Sequence, residues 1–195
     1  MPRFQDRHSA AGHPSSFQFN PDEHLALVSS SALFIGLTQR ECGEIISCGR
    51  VLTYARNELL YAQGHPMRSL IFLQTGCVKH TQISDTGNKV ILWMSRSGEA
   101  LNVQPETTFR DHSCSARAME QCQTLVWQYA RLEASFHRYP QIRKNISQIL
   151  ARRLNELEER FREIATEKVA TRLALTLLRL LSRSVKSPMK GRRCL

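Results

Sequence analysis

The side chains of this sequence with the widest chemical reach are its cysteines and histidines, six and seven in number. No two cysteines form a C-x-x-C pair, and no cysteine–histidine group has the spacing of a zinc or iron–sulfur site. An H-x-H pair followed by glutamate and histidine, the ligand set of a metal enzyme on a β-roll, is also missing. The sequence therefore predicts no metal site, no enzyme and mostly reduced thiols. A cysteine or haem sensor that uses residues such as Cys77 and His80 stays open as a minor alternative.

Positive charge is concentrated at the C-terminal end of the chain. Residues 1–140 hold 13 Lys and Arg against 12 Asp and Glu, whereas residues 141–195 hold 14 against 5. This asymmetry favours an anionic partner, with nucleic acid first. A solvated helix face with a basic tail would explain the charge equally well.

The N-terminal residues 1–23 are rich in Ser, His, Gln and Pro and show no periodicity, which predicts a loose leader. Neither they nor any later segment has the unbroken apolar run of a signal peptide or a membrane span. We therefore expect a cytoplasmic protein with no membrane partner.

The pattern over residues 24–138 predicts short helices followed by a β-roll. In the lead-in, Glu41 follows Thr38 at the spacing of a helix capping box. From residue 50, short runs rich in Val, Ile, Leu, Tyr and Phe alternate with turn residues, as in a jelly roll or small barrel. The turn glycines are Gly64, Gly76, Gly87 and Gly98.

A long helix is predicted over residues 139–165, after a short one that ends before Pro140. Such a helix is on the order of 40 Å long, more than a β-domain of this size can cover. Its second half repeats apolar residues at spacings of three and four, which favours a homodimer seam over a helix lying on its own core. The predicted interface residues are Ile146, Leu150, Leu154, Leu157, Phe161 and Ile164.

This order of elements resembles the CRP/FNR (catabolite activator-like) family of bacterial transcription regulators. The phrases that carry the resemblance are "LFIGLTQRECGEI", "RNELLYAQGHPMRSLIFLQTGCVKHTQ", "SGEALN", "YPQIRKNISQILARRLNELEERF" and "EKVATRLALTLLRLL". The resemblance implies an α+β fold with a cyclic-nucleotide-binding-like sensor, a dimerisation helix and, over residues 166–181, the first helix of a winged-helix DNA-binding domain. It also implies a small-molecule effector and DNA as partners.

The resemblance places a ligand site in the segment that begins at Gly98. Cyclic-nucleotide binders of this fold hold the phosphate with backbone N–H groups and an Arg-Ser or Arg-Thr pair. Here the arginine position falls on His112, and Arg110 would share its strand face and could replace it. A mostly neutral histidine is a poor phosphate ligand, so the residues argue against a cyclic nucleotide. The expected ligand-binding residues are Gly98, Glu99, Ala100, Leu101, Arg110, His112 and Ser113.

The final residues, 182–195, contain five basic side chains and no acid, which predicts a disordered basic tail. Relatives continue at this point with a helix-turn-helix, so we expect that unit to be missing here and any DNA contact to involve phosphates alone. The expected phosphate contacts are Arg172, Arg183, Lys186, Lys190, Arg192 and Arg193. The alternative is a stand-alone ligand-binding module that acts on a protein partner or blocks an intact relative in a mixed dimer.

Overall fold

The computed structural model describes residues 26–104 and 110–185. The helices, which follow a helical segment at 26–29, are α1 Gln39–Ser47, α2 Tyr129–Arg138, α3 Pro140–Thr166 and α4 Val169–Val185. The strands are β1 Arg50–Tyr54, β2 Leu59–Tyr61, β3 Ser69–Thr75, β4 Cys77–Ile83, β5 Lys89–Arg96, β6 Ala100–Leu101, β7 Ser115–Ala118 and β8 Cys122–Gln128. The predicted leader, residues 1–23, lies outside the described residues. Of the predicted disordered tail, residues 182–185 instead form the last turn of α4, so that boundary was wrong, and residues 186–195 lie outside the description.

The strands form two antiparallel sheets, with the order β1-β8-β3-β6 in one and β2-β7-β4-β5 in the other. Every connection between consecutive strands changes sheet except β4 to β5, which pair as an antiparallel hairpin, and this arrangement is the β-roll that the turn pattern predicted. Each predicted turn glycine has a positive φ: Gly64 +78°, Gly76 +95°, Gly87 +82° and Gly98 +88°. The prediction of an α+β fold with a β-roll and a long C-terminal helix is confirmed.

Strand β3 has an unbroken apolar run because both of its faces are buried. Leu70 and Phe72 belong to a core shared with the helices, whereas Ile71 and Leu73 belong to a second core between the two sheets. The sheet that contains β3 therefore lies between the helices and the other sheet.

Helix α1 begins where the sequence predicted. Thr38 Oγ1 accepts a hydrogen bond from the Glu41 N–H at 3.3 Å, and the Glu41 carboxylate accepts one from the Thr38 N–H at 2.7 Å. The far end of α1 is fixed by Trp127, whose buried indole Nε1 donates to the Ile45 carbonyl at 2.7 Å. These contacts attach the lead-in to β8.

The chain divides into two compact units, residues 1–150 and 151–195. In the first unit, the N-terminal part of α3 packs on the helical core through buried residues Ile142, Asn145, Ile146 and Ile149. Asn145 Nδ2 donates to the carbonyls of Leu33 and Ile35, at 2.8 Å each. The start of α3 is therefore attached to the lead-in.

The second unit contains the C-terminal part of α3 together with α4. Arg179 in α4 donates two hydrogen bonds to the Glu163 carboxylate in α3, both 2.7 Å long. These bonds lower the pKa of Glu163, which is buried. This bidentate pair joins the two helices on either side of the break between them.

Candidate functional site

The first half of the predicted ligand segment is held at the edge of the β3 sheet. Gly98 N–H donates to the Leu73 carbonyl at 2.8 Å, and Leu73 N–H donates to the Glu99 carbonyl at 2.9 Å. Ala100 and Leu101 then form β6, which pairs with β3 and is buried. These four residues shape the backbone here, and only the half-buried Glu99 offers a polar side chain.

The next residues are held by a single buried tyrosine. The Tyr129 hydroxyl donates to the Asn102 carbonyl and accepts from the Gln104 N–H at 3.1 Å. Burial raises the pKa of Tyr129, so its hydroxyl stays protonated. The carbonyl of Asn102, a residue with φ +56°, is thereby fixed at the end of the described segment.

Both backbone groups of His112, the N–H and the carbonyl, form hydrogen bonds with the turn that follows β2. Its N–H donates to the His65 carbonyl, and its own carbonyl accepts from the Gly64 N–H, both at 2.8 Å. Its side chain is only 6% exposed, whereas those of Arg110 and Ser113 are exposed. Arg110 therefore does not share the buried position of His112, and the structure does not support it as a replacement.

Four aromatic and imidazole rings lie together on the sheet that contains β4, on the face that is turned toward the other sheet. Strand register places Tyr61 opposite Ala116, Ala116 opposite His80 and His80 opposite Trp93. Because Ala116 is small, the Tyr61 hydroxyl reaches His80 Nδ1 at 3.1 Å. We call Tyr61, His80, Trp93 and His112 the ring row.

Stacking and hydrogen bonds connect the ring row. His112 stacks on Tyr61 with centroids 4.1 Å apart, and His80 stacks on Trp93 at 4.5 Å. His80 Nε2 also lies 3.0 Å from the Ser95 hydroxyl. The row therefore presents apolar ring surface with a few polar atoms, the usual composition of a small-molecule site.

The ring-row residue His112 carries no charge near pH 7. Burial, with a smaller contribution from nearby His65, lowers the pKa of His112 to about 4, so its imidazole is uncharged near pH 7. The inner-face neighbours Val78, Ser95, Ala116 and Ala118 carry no charge either. The residues present do not fit a cyclic phosphate, which needs a cation or several directed donors.

The sequence identified His112 but not its neighbours in the ring row. Tyr61, His80 and Trp93 lie on three different strands and meet only through register. Alternation along β4 places His80 on the same face as Val78, and this was the one available signal. His80 was considered for a metal or haem site, but the described residues contain no group of three His, Cys, Asp or Glu that could hold a metal ion.

The cysteines give little support to a redox sensor. Burial raises the pKa of Cys42, Cys77 and Cys122 above the ordinary thiol value. A reactive cysteine needs the opposite shift.

The predicted dimer residues divide into two groups. Ile146 is fully buried in the core of the first unit, and Leu150 packs against that core, so Ile146 is removed from the interface assignment. The other predicted residues are exposed to the following extents: Leu154 56%, Leu157 49%, Phe161 74% and Ile164 64%. We call these four the α3 stripe.

Of the predicted phosphate contacts, only Arg172 has a described side chain, and it is half-buried near the start of α4. Arg183 lies in α4, but its side chain is outside the description. Lys186, Lys190, Arg192 and Arg193 lie beyond the described residues altogether. Their role stays a prediction.

Comparison with known proteins gives consistent matches. Residues 51–139 match the cyclic nucleotide-binding domain family. Over 140 residues the chain is 24% identical to the transcriptional activator protein Anr of Pseudomonas aeruginosa, which covers 72% of this chain but 56% of Anr. The chain thus spans little more than half the length of that relative.

Solved structures agree with this match. The Thermus thermophilus catabolite activator protein has a TM-score of 0.62 at 26% identity, over 78% of this chain and 72% of that one. The global regulator CLP of Xanthomonas campestris, described as c-di-GMP-responsive, has a TM-score of 0.65 at 20% identity, over 72% and 70% of the two chains.

The β-roll thus has the fold of a cyclic nucleotide-binding domain, the family that residues 51–139 match. Relatives and structural neighbours of the chain include bacterial transcription regulators of the CRP/FNR type. The relatives are named as transcription regulators and receptors, in agreement with the expectation of a protein that is not an enzyme. No helix within 26–104 or 110–185 is long and apolar enough to span a bilayer.

Proposed function

We propose that this chain senses a small-molecule effector and dimerises as part of a CRP/FNR-type transcription regulator that acts on DNA in the bacterial cytoplasm. In this proposal residues 24–138 sense, residues 139–165 pair with a second copy and residues 166–181 begin the DNA-binding part. The observation that carries it is the α3 stripe, which lies on the long helix that follows the β-roll and the short helix α2.

The α3 stripe has the character of an unfilled helix interface. Leu154, Leu157, Phe161 and Ile164 follow one another at spacings of three, four and three residues, so they lie along one side of α3. Each is about half to three-quarters exposed, although such residues are usually buried. A second copy would cover them with an identical stripe, because a twofold interface uses the same surface twice.

The charge of the C-terminal end supports a nucleic-acid partner. Residues 141–195 hold 14 basic side chains against 5 acidic ones, and dimerisation would bring two such ends into one assembly. Contacts to phosphates depend on the number of cations and weaken as salt is added. We therefore propose that DNA binding depends on the dimer.

Analytical ultracentrifugation with one matched pair of variants tests the dimer. Leu157→Asp with Phe161→Asp places two carboxylates in the stripe, whereas Asn155→Asp with Thr166→Asp adds the same charge on the other side of α3. We expect the wild type and the control to sediment as dimers and the stripe variant as a monomer, because a buried unpaired carboxylate is strongly unfavourable.

DNA retention by the same three proteins then tests the regulator. Near physiological salt we expect the two dimers to bind a random duplex with a Kd on the order of 10⁻⁶ to 10⁻⁴ M, and to bind it more tightly as the salt concentration is lowered. The monomeric variant should bind more weakly at every salt concentration. If the stripe variant stays dimeric, the α3 stripe is not the dimer interface. If the dimer does not bind DNA at low salt, the proposed role as a transcription regulator is contradicted.

A further inference from the structure

Two nitrogen atoms of the ring row are buried without a hydrogen-bond partner among the described residues: Nδ1 of His112 and Nε1 of Trp93. The structure gives the other indole nitrogen, in Trp127, a carbonyl partner at 2.7 Å. Buried polar groups in proteins are nearly always paired, so an unpaired one requires an explanation.

His112 is held in place by both its backbone and its side chain. Hydrogen bonds of 2.8 Å hold its N–H and its carbonyl against the turn at Gly64 and His65, and its ring lies flat on Tyr61 with an interplanar angle of 11°. The imidazole therefore cannot turn toward solvent without breaking these contacts. Its Nδ1 is buried in the interior of the roll and has no hydrogen-bond partner among the described residues.

The side chains around His112 limit the chemical class of ligand that could bind there. The stacked rings of Tyr61, His80 and Trp93 supply apolar, polarisable surface, and Ser95 supplies a hydroxyl within the same group. Arg110, the nearest arginine in sequence, is exposed to solvent. An anionic phosphate would be buried here without a compensating cation, which is strongly unfavourable.

We propose that the sensor of this chain takes an uncharged, ring-bearing ligand that hydrogen-bonds His112 Nδ1, and that it rejects cyclic nucleotides and other phosphate anions. This inference rests on the sensing role proposed above and specifies its ligand class. The neutral imidazole can donate or accept according to its tautomer, so the ligand contributes the complementary group.

The indole N–H resonances of the full chain provide a direct test, because the protein has two tryptophans. Adenosine, indole and phenol serve as uncharged probes, and cyclic AMP serves as the anion. Adenosine and cyclic AMP share base and ribose, so this pair isolates the phosphate. We expect at least one uncharged probe to shift the Trp93 signal, cyclic AMP to leave it in place, and the Trp127 signal to stay constant throughout.

Two variants identify the contact. His112→Phe keeps a ring on Tyr61 but removes Nδ1, so we expect it to weaken the active probe about two- to tenfold, the loss of one neutral hydrogen bond. His65→Ala removes an exposed imidazole from the neighbouring turn and should leave the affinity unchanged. An unchanged Trp127 signal shows that each variant is folded.

Three results would overturn the inference: a Trp93 shift caused by cyclic AMP, no shift with any uncharged probe, or equal binding by His112→Phe and the wild type. Sedimentation of the same samples separates this inference from the proposed function. If the protein is a dimer but fails the probe test, only the proposed ligand class is refuted. If it is a monomer but passes the probe test, the ligand class stands and the proposed regulator is refuted.

Discussion

The turn at Gly76 offers a stability test in which two separate physical effects can be told apart. Gly76 has φ +95°, and a methyl group there would lie 2.6 Å from Cys122 Sγ and 2.8 Å from the Gln121 carbonyl oxygen. Gly64 has a similar φ of +78°, but nothing lies within 4 Å of the position of its missing methyl group. Alanine therefore meets backbone strain at both sites and a steric clash at only one.

The expected costs follow from these distances. Left-handed backbone costs a residue with a β-carbon about 1–2 kcal/mol. Forcing an extra methyl group into a packed site costs about 1–3 kcal/mol more, because backbone atoms must move. We expect Gly64→Ala to lower the free energy of unfolding by about 1–2 kcal/mol and Gly76→Ala by about 2–5 kcal/mol.

Urea denaturation at one fixed protein concentration, followed by tryptophan fluorescence, measures both costs. The concentration must be matched because dimerisation adds to apparent stability. Equal losses for the two variants would show that the clash with Cys122 is relieved without cost, and would refute the close approach of the β3–β4 turn to β8.

The remaining predictions concern α3. The lowered pKa of Glu163 means that its pair with Arg179 stabilises the protein above the ordinary carboxyl value of 4.5, and that this contribution disappears as the pH falls through the folded value. Thermal unfolding between pH 7 and pH 3 should therefore fall more steeply for the wild type than for Glu163→Gln, and parallel curves would contradict the pair. Asn145→Ala should cost about 2–4 kcal/mol in urea denaturation, because the buried Leu33 carbonyl and the part-buried Ile35 carbonyl lose their donor, whereas exposed Lys144→Ala should change stability by less than about 0.5 kcal/mol. A mild Asn145→Ala phenotype would contradict the attachment of α3 to the lead-in.

Local signals explain why much of the fold was predictable. The capping box at Thr38 depends on residues three apart, and the turn glycines depend on their own φ, so both could be recognised along the chain. The short runs rich in Val, Ile, Leu, Tyr and Phe likewise indicated strands, whereas the burial of both faces of β3 is seen in the structure.

The helix faces were harder to predict because α3 uses two of them. Its first turns pack Ile142, Asn145, Ile146 and Ile149 on the core, and only later does the exposed stripe begin. Apolar residues recur every three or four positions through both parts of α3. The sequence therefore did not show that Ile146 belongs to the core and not to the dimer interface. Asn145, a polar residue, gave no apolar signal although it is buried.

The candidate site depended even more on non-local structure. Tyr61, His80 and Trp93 become neighbours only when β2, β7, β4 and β5 pair in one register. Neither this register nor the different burial of Arg110 and His112 is encoded in any short stretch of sequence. The family resemblance therefore located the segment that begins at Gly98, and the structure showed which side chains surround His112.

Tyr129 belongs to two elements at once, since its hydroxyl holds the backbone at Asn102 and Gln104 and its own backbone begins α2. Helix α2 is followed after one residue, Tyr139, by α3. Any displacement of the peptide at residues 102–104 must either break those hydrogen bonds or pull on the first turn of α2. The loop after β6 and the first turn of α2 are thus mechanically linked through one phenol.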